Sequence, residues 1–281
     1  MDAKTRREIK SIGADSRSSA TELLGRGLQL LRAAAGEGQD QLGPVANELC
    51  RAQPAMAGLR TAAALALGAP DPVAGLDEFA ERVERAPAAI ARHAVGLLGL
   101  RRKAGPLHVV TCSKSRPVEA TLRLAAEQHE LLVSCAESRP AKEGRDLARA
   151  LAEAGIQVDL YNDAAICAVI GSADAVLVGA DAVSSSSFIN KAGTGALCAV
   201  ATAVGTPAYV LTGREKILPD DVFTALTLRP GGPHEVWRDP VAGVQVRNPY
   251  FEQLPLSWVS SVVTETGILQ PNEVRAGALW K

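Results

Sequence analysis

Aromatic side chains make up only 4% of the 281 residues, and neither charge sign is in excess, with 30 Lys and Arg against 31 Asp and Glu. The first shortage shifts packing onto Ala, Leu and Val. The second argues against bulk nucleic-acid binding, because a protein that neutralises many phosphates carries a visible surplus of cations. Arg101, Arg102 and Lys103 form one local basic cluster, which suits a solvated linker equally well. No stretch reaches roughly 18 uninterrupted apolar residues, and the polar opening from Met1 lacks the apolar core of a signal peptide. We expect no membrane association and a cytoplasmic location. The five cysteines, Cys50, Cys112, Cys135, Cys167 and Cys198, include no C-x-x-C pair and lie too far apart for a local zinc site. A reducing compartment follows, with no metal and no redox cofactor expected.

What is present divides the chain in two. Residues 1–103 read as successive helices, with no run in the alternating period of a strand. Ser19-Ala20-Thr21-Glu22 fits a capping box, followed by Leu24, Leu28 and Leu31 on one face. Pro54 and Pro72 suit first helical turns, where a missing N–H costs nothing, and Asp71 can cap the second. Residues 104–281 change to short apolar runs at 107–111, 131–135, 156–160, 175–178 and 208–211, with a sixth at 244–247. Helices fill the gaps between the first five, and Gly155 and Gly205 stand where a helix must stop before a strand. The fold class is α/β: a helical domain followed by a Rossmann-like, doubly wound parallel sheet.

In such a sheet, ligands bind outside the carboxyl ends of the strands. Those positions carry Cys112-Ser113-Lys114-Ser115-Arg116, then Glu137-Ser138-Arg139, Asn162-Asp163, Asp181, and finally Thr212, Arg214 and Lys216. Cations beside acids suit a phosphorylated, hydroxyl-rich small molecule, since cations hold phosphate and a carboxylate moves protons. Asp181 directly follows an apolar run, where burial would raise its pKa; a helix cap is the competing role. Asn190-Lys191-Ala192-Gly193-Thr194-Gly195 opens a helix whose free amides, with Lys191, could hold an anion. No phosphate-binding G-x-x-x-x-G-K-[ST] loop, G-x-G-x-x-G turn or G-x-S-x-G elbow occurs. Cys112 alone among the thiols sits at a strand end, beside Lys114 and Arg116, which would favour a thiolate, and the four histidines show no ligand spacing.

Four segments in order, Glu137-Ser138-Arg139-Pro140 with Glu143-Gly144-Arg145, Val178-Gly179-Ala180-Asp181, Asn190 to Thr194, and Arg247-Asn248-Pro249-Tyr250-Phe251 leading to Thr264-Glu265-Thr266-Gly267, resemble one superfamily. It joins ribose-1,5-bisphosphate isomerase, methylthioribose-1-phosphate isomerase and the alpha, beta and delta regulatory subunits of initiation factor 2B. Residues 15–22, which include Ser19, and Gln53-Pro54-Ala55-Met56 resemble its helical domain, whose loops close over the ligand. The resemblance implies that Asp181 is the proton-shuttling aspartate of an aldose-ketose isomerase. It implies that Ser19, Arg139, Asn190, Lys191 and Lys216 bind a phosphorylated sugar such as ribose 1,5-bisphosphate. The family's T-H-C segment reads Thr111-Cys112-Ser113 here, so Cys112 or Ser113 is the partner acid or base. The alternative is a non-catalytic sugar-phosphate or nucleotide-binding regulatory protein like the initiation-factor branch. The resemblance also implies a homodimer or higher homo-oligomer, with Trp237, Tyr250, Phe251 and Trp258 as interface anchors or core.

Overall fold

The computed structural model describes residues 1–15, 20–99 and 105–276. Five helices come first: α1 (Ala3–Ala14), α2 (Ala20–Glu37), α3 (Gln39–Ala52), α4 (Ala57–Gly68) and α5 (Pro72–Gly99). α1 has its own start signal, the Asp2 carboxylate accepting the N–H groups of Lys4 and Thr5. Pro72 opens α5, and the Ala74 N–H donates to Asp71 Oδ1 at 3.0 Å, as the sequence predicts. Asp71→Ala is therefore expected to cost about 1 kcal/mol, read from chemical denaturation. Pro54 does not open a helix; it lies in the turn between α3 and α4, which starts three residues later. Leu24, Leu31, Leu42, Leu49, Leu59 and Phe79 close the helical core, with Leu28 at its edge. Ser19 and its capping box lie outside the described residues.

The second half contains β1 (Leu107–Cys112), α6 (Arg116–Ala126), β2 (Leu131–Ala136), α7 (Glu143–Glu153), β3 (Gln157–Tyr161) and β4 (Ala175–Val178). A short two-strand excursion follows, β5 (Ala182–Val183) and β6 (Ser187–Lys191), then α8 (Thr194–Val204), β7 (Ala208–Leu211) and α9 (Asp220–Thr224). β8 (Phe251–Pro255), β9 (Ser261–Thr264) and β10 (Gly267–Leu269) complete the chain. The main sheet has the order β10-β9-β7-β4-β1-β2-β3 and is parallel except for β10. β5, β6 and β8 form a small antiparallel sheet beside it.

Two expectations need correction. Residues 244–247 form no strand; Val241 nearby is 60% exposed, and the sixth parallel strand is β9, whose Val262 and Val263 are fully buried. An apolar pair in a short alternating run cannot make a strand unless a sheet edge is there to receive it. The link from β3 to β4 is 3-10 turn over Ala165–Ser172 rather than an α-helix. Gly155 and Gly205 take the left-handed conformation at φ 78° and 74°, ending α7 and α8 as expected.

α5 spans both cores: Phe79 packs among the helices, while Ile90 and Leu98 share a core with Leu107 and Leu177 of the sheet and Leu122 of α6. We keep the division after residue 103 as a proposal, since that link lies outside the described residues. A second tie runs from α4, where the Thr61 hydroxyl donates to the Glu215 carbonyl oxygen at 2.7 Å, one residue before Lys216.

Candidate active site

Strands β2 and β3 lie on one side of β1, and β4, β7 and β9 on the other, so the chain's winding reverses between β1 and β4. The crevice beyond their carboxyl ends is where such sheets bind ligands. β1 delivers Cys112 and Ser113 there, and β4 delivers Gly179, Ala180 and Asp181. Gly179 permits the close approach: a Cβ on it would lie 2.8 Å from the Ser115 Oγ. Ser113 and Ser138 both have left-handed backbones, at φ 60° and 62°. They are locked together, the Ser113 N–H donating to Ser138 Oγ at 2.7 Å. Asp163, beyond β3, accepts the N–H groups of Ser138 and Arg139 at 2.7 Å each. Unfavourable backbone held by such clamps is characteristic of functional sites.

β6 raises Asn190 and Lys191 against the same crevice. Asn190 Nδ2 donates to Thr194 Oγ1 at 2.8 Å, and that hydroxyl donates to the Lys191 carbonyl at 2.7 Å. Cys112 Sγ lies 3.6 Å from Thr194 Oγ1, and because the hydroxyl proton is already used, the thiol is the donor. Cys112 keeps regular register with Ala136, is 4% exposed and packs in the sheet core. Burial pushes its thiol up to about 11; Thr194, which could turn its proton toward a thiolate, opposes part of that rise. The neighbouring cations therefore do not make it a thiolate, against the sequence-based expectation.

Lys191 is 3% exposed, its Nζ 2.6 Å from Glu143 Oε1 and 4.4 Å from the Tyr250 ring centre. Lys216 Nζ donates to the Ala180 carbonyl at 2.8 Å. Half-buried Asp181 feels both of these cations. Desolvation holds its carboxyl above the ordinary Asp value, opposed by Lys216 and Lys191 and reinforced by Glu143. The arrangement provides one carboxyl suited to taking and returning a proton, a protonated thiol, and ammonium and amide donors for sugar oxygens.

One expectation fails here. The amides at the start of α8 are not open to an anion: Glu252 Oε1 accepts the N–H groups of Gly193 and Gly195 at 2.9 and 2.7 Å. The pairing of β6 with β8 places Glu252 opposite Asn190, a proximity that no local motif signals. Glu143, Thr194 and Tyr250 are likewise site residues that single-position reasoning passed over. Arg139 points no hydrogen bond or ion pair from its side chain to any described residue, and Ser19 lies outside the described residues. The Tyr250 ring lies under the Lys191 ammonium, and Trp237 and Trp258 are exposed. His93 and His108 hold Thr264 O and Ser134 Oγ. Among the described residues no His, Cys, Asp and Glu side chains group as a metal site, and no helix is long and apolar enough to cross a membrane.

Comparison with known proteins agrees with this architecture. Ribose 1,5-bisphosphate isomerase of Methanocaldococcus jannaschii is 29% identical over 182 residues, covering 63% of this chain and 59% of that protein. The Haloferax volcanii protein of the same name is 32% identical over 205 residues, covering 70% and 62%. The matched stretch thus falls short of two thirds of these relatives' length. The solved structure of translation initiation factor eIF-2B from Pyrococcus horikoshii superposes with a TM-score of 0.80 at 25% identity, covering 96% of this chain and 98% of that one. The 5-methylthioribose 1-phosphate isomerase of the same organism shares the fold, with a TM-score of 0.72 at 19% identity, covering 97% and 86%. The model of the initiation factor 2 subunit family matches residues 10–271, and the chain belongs to that family.

Proposed function

We propose that this chain is an aldose-ketose isomerase acting on a phosphorylated pentose. The observation that carries the reading is Asp181, a carboxyl with raised proton affinity at the winding reversal, flanked by Lys216 and Lys191. Relatives named ribose 1,5-bisphosphate isomerase support it. Asp181 takes the proton from the carbon beside the open-chain carbonyl and returns it to the former carbonyl carbon. The Cys112 thiol, coupled through Thr194 to Asn190, moves the second proton between the two oxygens. Lys191 and Asn190 hold those oxygens, and Lys216 fixes the Ala180 carbonyl beside Asp181. The reaction relocates hydrogen within one molecule, so no redox partner enters its balance. A homo-oligomer with exposed Trp237 and Trp258 at its contacts belongs to the same proposal.

Proton NMR of the purified protein with pentose phosphates should show the ketose phosphate appear. Cys112→Ser should slow it about a hundredfold, while Ser113→Ala leaves it nearly unchanged. A dead Ser113→Ala beside an active Cys112→Ser would transfer the role to Ser113. Stabilisation by nucleotides with no conversion of any sugar phosphate would replace the isomerase by the regulatory reading.

A further inference from the structure

We infer that Glu143 determines specificity: it keeps phosphate away from Lys191, so the ligand places a hydroxyl or carbonyl there and carries one phosphate, not two. The inference rests on the isomerase reading and narrows its substrate class. Two places in the crevice have the chemistry of a phosphate site, and the chain's own carboxylates fill both. Glu143 pairs with the buried Lys191 ammonium, and Glu252 takes the amides at the start of α8. Both carboxylates meet the Asn190-Lys191 segment, Glu143 through the Lys191 ammonium and Glu252 through the strand pairing that sets it opposite Asn190. A phosphate dianion entering here would meet two negative charges, and like charges in a partly desolvated site repel strongly.

A hydroxyl fits the same place. Glu143 Oε2 is buried and has no hydrogen-bond partner. It needs a donor, which a sugar hydroxyl supplies and a phosphate dianion does not. The Lys191 ammonium, with three protons and one given to Glu143, can donate to the same sugar or its carbonyl. Two cations after the strand ends have no hydrogen-bond or ion-pair partner among the described residues. Lys114 and Arg139 are exposed and follow Ser113 and Ser138, the two residues joined by the 2.7 Å hydrogen bond. That pair of loops offers a grip for a single phosphate.

Calorimetric titration with ribose 5-phosphate and ribose 1,5-bisphosphate tests this without requiring turnover. The wild-type protein should bind the monophosphate about tenfold tighter, and Glu143→Gln should shift the ratio about tenfold or more toward the bisphosphate. Glu143→Ser should shift it the same way, which guards against one variant folding poorly; damage to the fold would weaken both ligands together. Wild-type preference for the bisphosphate, a ratio unchanged within about twofold in both variants, or no binding of either sugar at millimolar concentration would overturn the inference. Ketose formation, measured separately, decides the isomerase reading. An active enzyme that prefers the bisphosphate sinks only the Glu143 assignment, and selective binding without conversion sinks only the isomerase.

Discussion

Asp181→Asn should lower turnover about a thousandfold while changing ligand affinity little. The amide keeps the size of the carboxyl and one acceptor oxygen but cannot accept the carbon-bound proton, so the loss falls on the chemical step. The same substitution should raise thermal stability near neutral pH. In the folded chain Asp181 is held above the ordinary Asp value of 3.8, chiefly by burial, so folding favours its protonated form. That contribution is fully present below the unfolded value and is lost as pH rises through the folded one. Once ionised, the carboxylate thus costs stability that Asn does not incur, and the gap between variant and wild type should close as the pH is lowered toward the ordinary value of 3.8. Activity should fall in acid as Asp181 protonates, at a higher pH than an ordinary aspartate would give. A variant that is inactive but less stable than wild type at neutral pH would mean that the Lys216 and Lys191 charges outweigh desolvation. Equal turnover would remove Asp181 from the mechanism.

Sequence carries the parallel sheet well and the site only in part, for one physical reason. Strands β1, β2, β4 and β7 are short, largely apolar runs bounded by turn residues, so their burial is written locally, whereas β3 is an exposed edge strand with Gln157 and Asp159 in it. The residues that follow them, Cys112, Ser113, Asp181 and Lys216, could be named because strand ends are local too. What decides the electrostatics is not local. Glu143 and Lys191 are 48 residues apart, and Glu252 lies 57 residues from Gly195, the amide it caps. Their meeting depends on β6 leaving the main sheet to pair with β8, and no periodicity in the chain announces that. The expected strand at 244–247 fails for the converse reason: its apolar pair has the local pattern but no sheet edge to join. An anion at the α8 start follows from helix physics, since those amides need an acceptor. The chain supplies its own.

Removing that acceptor should be costly. Glu252→Ala leaves the Gly193 and Gly195 N–H groups without their shared carboxylate and strips negative charge from a helix start. Hydrogen bonds to a charged group and the penalty for unpaired donors together suggest a loss of about 3 kcal/mol. For a chain of this size the melting temperature should fall by about 5 °C. Glu252→Gln, which keeps an acceptor oxygen without the charge, should fall by about half as much. The Ala variant also makes a helix start available beside buried Lys191, so inorganic phosphate should now stabilise it more than it stabilises wild type, because a ligand bound only by the folded state raises its stability. Thermal unfolding of both proteins across a phosphate series, with chloride at matched ionic strength, separates this from general salt effects. If phosphate favours the variant, the subsite is competent for anions and Glu252 is what closes it, leaving Lys191 and Glu143 to the sugar's hydroxyls. If phosphate acts equally on both, the α8 start is no anion site even when uncapped, and Glu252 is there for the helix alone.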